Sequence, residues 1–83
     1  MKINYFAWMR ETIGKSVETE TPPDHIDNID DLLDWLTGLS PAHAEALQNR
    51  SVIGVAVNRE FVEAGASIQA GDEIALFPPM TGG

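Results

Sequence analysis

The chain has 83 residues, enough for one small domain. Its 13 acidic and 5 basic residues give a net charge of -8, which argues against nucleic acid as a partner and favours basic protein surfaces. It contains no cysteine, so its side chains offer no disulfide, no zinc–thiolate site and no thiol nucleophile, and we expect a cytoplasmic setting. The N-terminal residues do not form a signal peptide, and no apolar run has the length of a membrane span.

The first strand is predicted over residues 2–8. Side chains alternate along it, so that Tyr5 and Phe6 point to opposite faces. Because both faces carry aromatic residues, we expect this strand to lie inside a sheet rather than at its edge.

A short helix and a second strand follow. The helix is predicted over residues 9–13 and ends at Gly14, which suits the left-handed backbone of a C-cap. Residues 16–20 alternate in the manner of a strand around Val17 and Thr19.

Two helices are predicted after the loop that contains Pro22 and Pro23. The main helix begins after Asn28, a favourable N-cap, and its apolar residues recur with helical spacing. A second, short helix over residues 42–48 starts from Ser40, with a proline at its first position. The apolar stripe of the main helix consists of Ile29, Leu32, Leu33 and Leu36.

The remaining strands are predicted over residues 52–57, 61–62 and 73–77, separated by turns at 58–60 and 71–72. In condensed form the element order is β-β-α-β-β. This order is typical of the α+β class, with one sheet and a helix packed on one face.

The last six residues form a thin extension beyond the last strand. Two prolines stiffen its start, and two glycines without Cβ atoms end it, so a narrow tunnel in another protein can admit the tip. Its one functional group is the α-carboxylate of Gly83, which is ionised and needs activation before it can react as an electrophile. A frayed end or a cloning remnant is the alternative explanation of a terminal Gly-Gly. The six residues are Pro78, Pro79, Met80, Thr81, Gly82 and Gly83.

Three segments carry a family signature: the first strand running into Arg10-Glu11, the Val-Ala-Val-Asn segment over residues 55–58, and the block over residues 71–83. On these segments, and over nearly its whole length, the chain resembles the small subunit of molybdopterin synthase, a family of ubiquitin-like sulfur carriers. The last block is the most specific of the three. Met80 departs from the Val or Ile that is usual in the family, and this puts only the fine packing of an interface in doubt.

The resemblance implies a β-grasp fold, a mixed sheet with one main helix on one face, over residues 1–77, with an extended tail over 78–83. It also implies that an ATP-dependent activating enzyme related to ubiquitin E1 proteins adenylates Gly83, and that a sulfur-transfer protein then supplies the sulfur of a thiocarboxylate. In the family the tail inserts into the large subunit and donates sulfur to a cyclic pyranopterin precursor, within an assembly of two small and two large subunits. The chain itself would bind no cofactor, because the activating enzyme uses the ATP and the large subunit holds the active site.

A partner-binding patch is predicted at the base of the tail. If the first and last strands pair, Phe6 and Phe77 are neighbours, and with Pro78 and Met80 they would face a partner. The alternative is that both phenylalanines belong to the core.

Several charged residues allow two interpretations. Arg10 and Glu11 would orient partners or cap the short helix, and Arg59 is expected to be a solvated charge. The acidic run over residues 18–34 is a solvated face or a surface that steers the chain to a basic activating enzyme.

The two histidines, His25 and His43, have no metal-ligand spacing, so we expect surface positions and no metal.

Three other functions remain open from the sequence. The chain would be a sulfur carrier for tRNA thiolation or thiamine synthesis, a ubiquitin-like modifier joined through Gly83 to lysines of other proteins, or a non-covalent interaction module that does not need its tail. The Phe-Pro-Pro approach to the tail favours the molybdopterin branch.

Overall fold

The computed structural model describes residues 1–78, which form five strands, three α-helices and one 3-10 helix. The α+β class is therefore confirmed, and the sheet has one strand more than the condensed order. In chain order the elements are β1 (Lys2–Tyr5), α1 (Trp8–Ile13), β2 (Val17–Thr19), α2 (Ile29–Thr37), α3 (Pro41–Ala46), the 3-10 helix (Arg50–Val52), β3 (Gly54–Val57), β4 (Glu60–Val62) and β5 (Glu73–Phe77).

The sheet has the strand order β2-β1-β5-β3-β4. The central strand, β5, runs parallel to its neighbour β1, with Lys2 opposite Glu73 and Tyr5 opposite Leu76, and every other pair is antiparallel. The prediction that β1 lies inside the sheet is confirmed, since β2 and β5 flank it.

The first strand is shorter than predicted because the chain turns at Ala7. This residue has φ 54° and ψ -135°, a backbone conformation that costs a residue with a Cβ more than it costs glycine. The turn ends β1 at Tyr5 and starts α1 at Trp8. As a result Phe6 lies in the connection and is 42% exposed.

The core lies between the sheet and the helices. Alternate residues of the central strands, such as Ile3 and Ile74, face α2 and are fully buried. The predicted stripe of α2 is buried as well, and burial of each such side chain contributes about 1.5–3 kcal/mol. With nine residues, α2 is the longest helix in the described part of the chain, and no helix there could cross a bilayer.

The predicted N-caps of the helices α2 and α3 are confirmed. The Asn28 side chain accepts a hydrogen bond from the backbone N–H of Asp31 at 2.9 Å, which caps α2. The Ser40 hydroxyl accepts from the N–H of His43 at 3.2 Å, with Pro41 at the first helical position of α3.

A buried polar cluster ties β1, β2 and α3 together at one side of the core. The Tyr5 hydroxyl donates to Glu18 Oε1 at 2.8 Å, and His43 Nε2 lies 2.7 Å from the same oxygen. On the other side of the imidazole, Ser40 Oγ lies 2.7 Å from Nδ1, and Lys15 Nζ approaches Glu18 Oε2 at 3.3 Å. We call these five residues the Glu18 cluster.

The cluster corrects two predictions and shows which face of β2 is buried. Glu18 is buried, whereas Val17 is 43% exposed. The face of β2 that carries Glu18 therefore points to the core, and the face that carries the apolar Val17 points to solvent. Glu18 is therefore not part of a solvated acidic face. His43, expected at the surface, is only 7% exposed. The physical reason is the same throughout: a buried carboxylate is tolerated when donors from other elements satisfy it.

Burial and these contacts shift the pKa values of Glu18 and Tyr5. Burial alone would raise the pKa of Glu18, but hydrogen bonds from His43 and Tyr5, the nearby His43 charge and the bond from Lys15 outweigh it and lower the pKa from 4.5 to about 2. Burial and donation to Glu18 raise the pKa of Tyr5, so its hydroxyl stays protonated.

The Glu18→Gln variant should lose about 1–3 kcal/mol of unfolding free energy near neutral pH, because a buried charged acceptor is removed from its donors. A carboxyl with a lowered folded-state pKa stabilises the fold above its unfolded value of 4.5, and this contribution is lost as the pH falls toward about 2. The difference in unfolding free energy between wild type and variant should therefore become smaller as the pH falls from 4.5 to about 2. Urea unfolding at several pH values measures it.

Glu45→Gln, on the exposed side of α3, is the matched control and should change stability by less than about 0.5 kcal/mol. If the difference in unfolding free energy between wild type and Glu18→Gln stays constant down to about pH 2, the lowered pKa of Glu18 is contradicted.

Candidate functional site

The open face of the sheet, opposite the helices, carries two stacked aromatic rings. Because β1 and β5 are parallel, they end at the same edge, and the N–H of Phe6 donates to the carbonyl of Leu76 at 3.2 Å. The rings of Phe6 and Phe77 lie 4.6 Å apart with an interplanar angle of 11°. The predicted adjacency of these two residues is therefore observed.

A third ring, Phe61, joins them from β4. Its centroid lies 5.6 Å from that of Phe77, and its side chain is 77% exposed. Pairing places it there, because Phe61 is opposite Ala56 on β3, and Ala56 is opposite Ala75 on β5. We call Phe6, Phe61 and Phe77 the aromatic face.

Sequence reasoning did not single out Phe61, although one signal was available. In a strand of three residues, the alternation that turns Val62 toward the core turns Phe61 outward. Three neighbouring aromatic rings that form one exposed patch, rather than a single exposed ring, indicate a contact surface.

The aromatic face borders a groove of about 320 Å³. Small alanine side chains form its floor, so the rings stand above the sheet. One end is polar, where Glu73 accepts a hydrogen bond from Asn4 Nδ2 at 2.9 Å and pairs with Lys2 at 3.8 Å. The lining residues are Asn4, Phe6, Ala56, Arg59, Phe61, Glu73, Ala75 and Phe77.

The arrangement bears on the two interpretations of Phe6 and Phe77. Both lie on the open face and outside the cluster of residues that forms the core. An exposed apolar patch bordered by polar groups is typical of a surface that binds a protein. The partner-binding role of these rings stays a prediction.

Only the first residue of the predicted tail lies within the described residues. Pro78 follows directly on Phe77 at the end of β5 and is half-buried. The chain therefore leaves the sheet beside the aromatic face. The predicted tail residues Pro79, Met80, Thr81, Gly82 and Gly83 lie outside the described residues.

The other predicted residues lie in separate places. Arg10 and Glu11 are adjacent, exposed residues in the middle of the six-residue helix α1. Arg59 is exposed at the rim of the groove. His25 is exposed near the N-terminal half of α2, and among residues 1–78 no group of acidic and histidine side chains is arranged to hold a metal ion.

Comparisons with known proteins agree with this geometry. Residues 3–83 match the ThiS family. The molybdopterin synthase sulfur carrier subunit of Escherichia coli K12 is 34% identical over 83 residues, covering 100% of this chain and 99% of that protein.

Two solved structures share the fold. The crystal structure of small archaeal modifier protein 1 from Haloferax volcanii is 34% identical, has a TM-score of 0.76, and is matched over 96% of this chain and 97% of its own. A complex of subunits 1 and 2 of the molybdopterin-converting factor from Helicobacter pylori contains a chain 20% identical to this one, with a TM-score of 0.59, over 99% of this chain and 96% of that one.

The stacking of Phe6 on Phe77 should appear as an energetic coupling. In a double-mutant cycle with Phe6→Ala and Phe77→Ala, we expect a coupling of about 0.5–1.5 kcal/mol in the free energy of unfolding, because offset aromatic pairs contribute this much beyond their buried area. Denaturant unfolding of the four proteins measures it. Additive effects of the two substitutions would contradict the stacked geometry.

Proposed function

The chain belongs to the ThiS family, and on that premise we propose that it is the sulfur carrier subunit of a molybdopterin synthase, with Gly83 as the residue that carries the sulfur. The observation that carries the proposal is the full-length match to a protein of that function, at 34% identity over 100% of this chain and 99% of the relative. The position of the end of β5 supports the proposal, because the chain leaves the sheet beside the aromatic face. If the aromatic face docks on a partner, the tail therefore enters that partner at one defined point.

Two steps would load the sulfur onto Gly83. A carboxylate oxygen attacks the α-phosphorus of ATP, held by the activating enzyme, and pyrophosphate leaves, which gives an acyl-adenylate. A sulfur nucleophile from a sulfur-transfer protein then attacks the carbonyl carbon and AMP leaves. If this nucleophile is the terminal sulfur of a persulfide, the product is an acyl disulfide. A second thiol of the sulfur-transfer protein then attacks the donor's own sulfur, so that the S–S bond breaks, the donor leaves as a disulfide and the thiocarboxylate remains on Gly83. The absence of cysteine fits this route, because the sulfur is carried on the main chain.

The folded body would contribute position rather than chemistry. The aromatic face would dock on the partner, and the tail would reach the partner's active site from the end of β5. Because the tail has no large side chain at its last two positions, a narrow channel can enclose it. This division of roles places the active site in the large subunit and the ATP site in the activating enzyme.

The large subunit is the partner best supported by the comparisons. The Helicobacter pylori structure is a complex of subunits 1 and 2 of the molybdopterin-converting factor, and one of its chains shares the fold of this chain. The remaining proposed partners, an E1-like activating enzyme and a sulfur-transfer protein, follow from the chemistry that an ionised carboxylate requires. The exposed acidic residues of the loop before α2 and of α2 itself would steer the chain to basic surfaces of such partners.

A second function has its own support. The Haloferax volcanii structure with 34% identity is of a small archaeal modifier protein. The same activated Gly83 could react with a lysine amine instead of a sulfur nucleophile, which would form an amide bond to another protein and release AMP. Carriers for thiamine synthesis or tRNA thiolation remain alternatives with no separate observation in their favour.

The loading reaction is tested by intact-protein mass spectrometry. After incubation with ATP, the cognate activating enzyme and a sulfur source, the protein should gain the mass that corresponds to replacement of one oxygen by sulfur. A variant lacking Gly83, and one with an added residue after Gly83, should show no change, because neither offers the same glycine carboxylate.

The same incubation distinguishes the alternatives. Conjugates of the chain with other proteins would support the modifier function. An unchanged mass for the wild-type chain, together with full synthase activity after removal of Gly82 and Gly83, would contradict both functions.

The docking role of the aromatic face is tested with Phe61→Ala. Because Phe61 is 77% exposed, the substitution should change stability by less than about 1 kcal/mol, yet it should weaken binding to the purified large subunit about tenfold. Titration calorimetry measures the affinity, and thermal unfolding measures the stability.

Leu39→Ala is the matched control, since Leu39 is an exposed apolar residue just after α2 and away from the open face. Equal affinity of Phe61→Ala and wild type would count against the aromatic face as the docking surface.

A further inference from the structure

The turn between β3 and β4 holds an unusual residue. Asn58 and Arg59 both have left-handed backbones, with φ 49° and 73°. A two-residue hairpin turn of this kind favours Asn followed by Gly, because glycine adopts a positive φ without a Cβ clash. Arg59 therefore occupies a position where glycine would be less strained.

The turn does not depend on the Arg59 side chain. Asn58 fixes it: its N–H donates to the carbonyl of Glu73 at 2.8 Å, its Oδ1 accepts from the N–H of Glu73 at 3.0 Å, and its Nδ2 donates to Asp72 Oδ1 at 3.0 Å. Within residues 1–78, the Arg59 side chain forms no hydrogen bond that holds the turn.

The guanidinium of Arg59 lies where a partner would dock. It lines the groove together with Phe61 and Phe77. Three other cationic side chains are engaged by carboxylates of the chain: Lys2 by Glu73, Lys15 by Glu18 and Arg50 by Asp34. Within residues 1–78, Arg59 and Arg10 form no ion pair, and of these two only Arg59 lines the groove.

The charge of Arg59 is opposite to that of its surroundings. The chain as a whole has a net charge of -8, so its long-range attraction favours basic partners without selecting one orientation. One cation at the edge of an apolar groove can select the orientation, because it matches a carboxylate at a single position of the partner and opposes a cation there.

We propose that Arg59 is a specificity-determining residue of the aromatic face, whose guanidinium binds a carboxylate of the large subunit beside an apolar side chain that docks against Phe61 and Phe77. The proposal rests on the proposed function, since it assigns a role to Arg59 in the same docking surface. Arginine suits this role because its planar group can donate two parallel hydrogen bonds to a carboxylate.

The test compares the affinity of the purified large subunit for wild type, Arg59→Gln and Arg59→Gly by titration calorimetry. Both variants should bind about tenfold more weakly, because a charge-assisted contact is lost. Arg59→Gly should also unfold at the same temperature as wild type or a higher one, since glycine relieves the left-handed strain. Raising the salt concentration should narrow the affinity gap.

Arg50→Gln is the matched control, because it removes the same charge from the helix-bearing side of the molecule, where Arg50 pairs with Asp34. It should weaken binding less than twofold. Equal losses of affinity for Arg50→Gln and Arg59→Gln would show an effect that does not depend on the position of the charge, and would overturn the proposal.

The measurements distinguish failure of the role of Arg59 from failure of the proposed function. If Phe61→Ala loses affinity while Arg59→Gln binds as wild type does, the role of Arg59 is overturned and the docking face stands. If the wild-type chain does not bind the large subunit at all, the proposed function fails and the role of Arg59 fails with it.

Discussion

The parallel pairing of β1 with β5 is the constraint on which the rest of the structure depends. It brings the first and last strands together at the centre of the sheet and ends both at one edge. The register puts Ile3 beside Ile74 and Tyr5 beside Leu76 on the core side. A slip of one residue would turn these side chains outward, so the hydrophobic core itself fixes the register.

The same pairing produces the open face. Because strand residues alternate, the positions between the core residues point away from the helices, and the ring of Phe77 is held against that of Phe6. The hairpin of β3 and β4 adds Phe61 through its antiparallel register. One side of the sheet thus stabilises the domain, and the other remains available to a partner beside the point where the chain leaves the sheet.

Much of this arrangement could be predicted from local signals. The strand over residues 73–77 was predicted with its observed bounds, because a Gly-Asp turn and a proline bracket it, and the start of α2 followed from Asn28. The Glu18 cluster could not be predicted in this way. Its members Glu18 and His43 are 25 residues apart, and only the tertiary structure shows that each satisfies the other.

The positive φ angles of Ala7 and Arg59 could not be predicted from the sequence either. Positive φ at Ala7 and Arg59 has no sequence signal, since neither residue favours it, and both turns border the aromatic face. Backbone strain at the edge of the proposed docking surface is consistent with a functional role for these turns. The role of residues 79–83 rests on chemistry and family membership, because they lie outside the described residues.

Docking on the large subunit is proposed to use the open face of the sheet and not the acidic helical side. The most direct measurement is a titration of the isotope-labelled chain with the purified large subunit, followed by amide chemical shifts and line broadening. The account predicts that the strongest changes fall on residues of the aromatic face and its groove, with α2 largely unaffected. Changes concentrated on α2 and the loop before it would contradict the account.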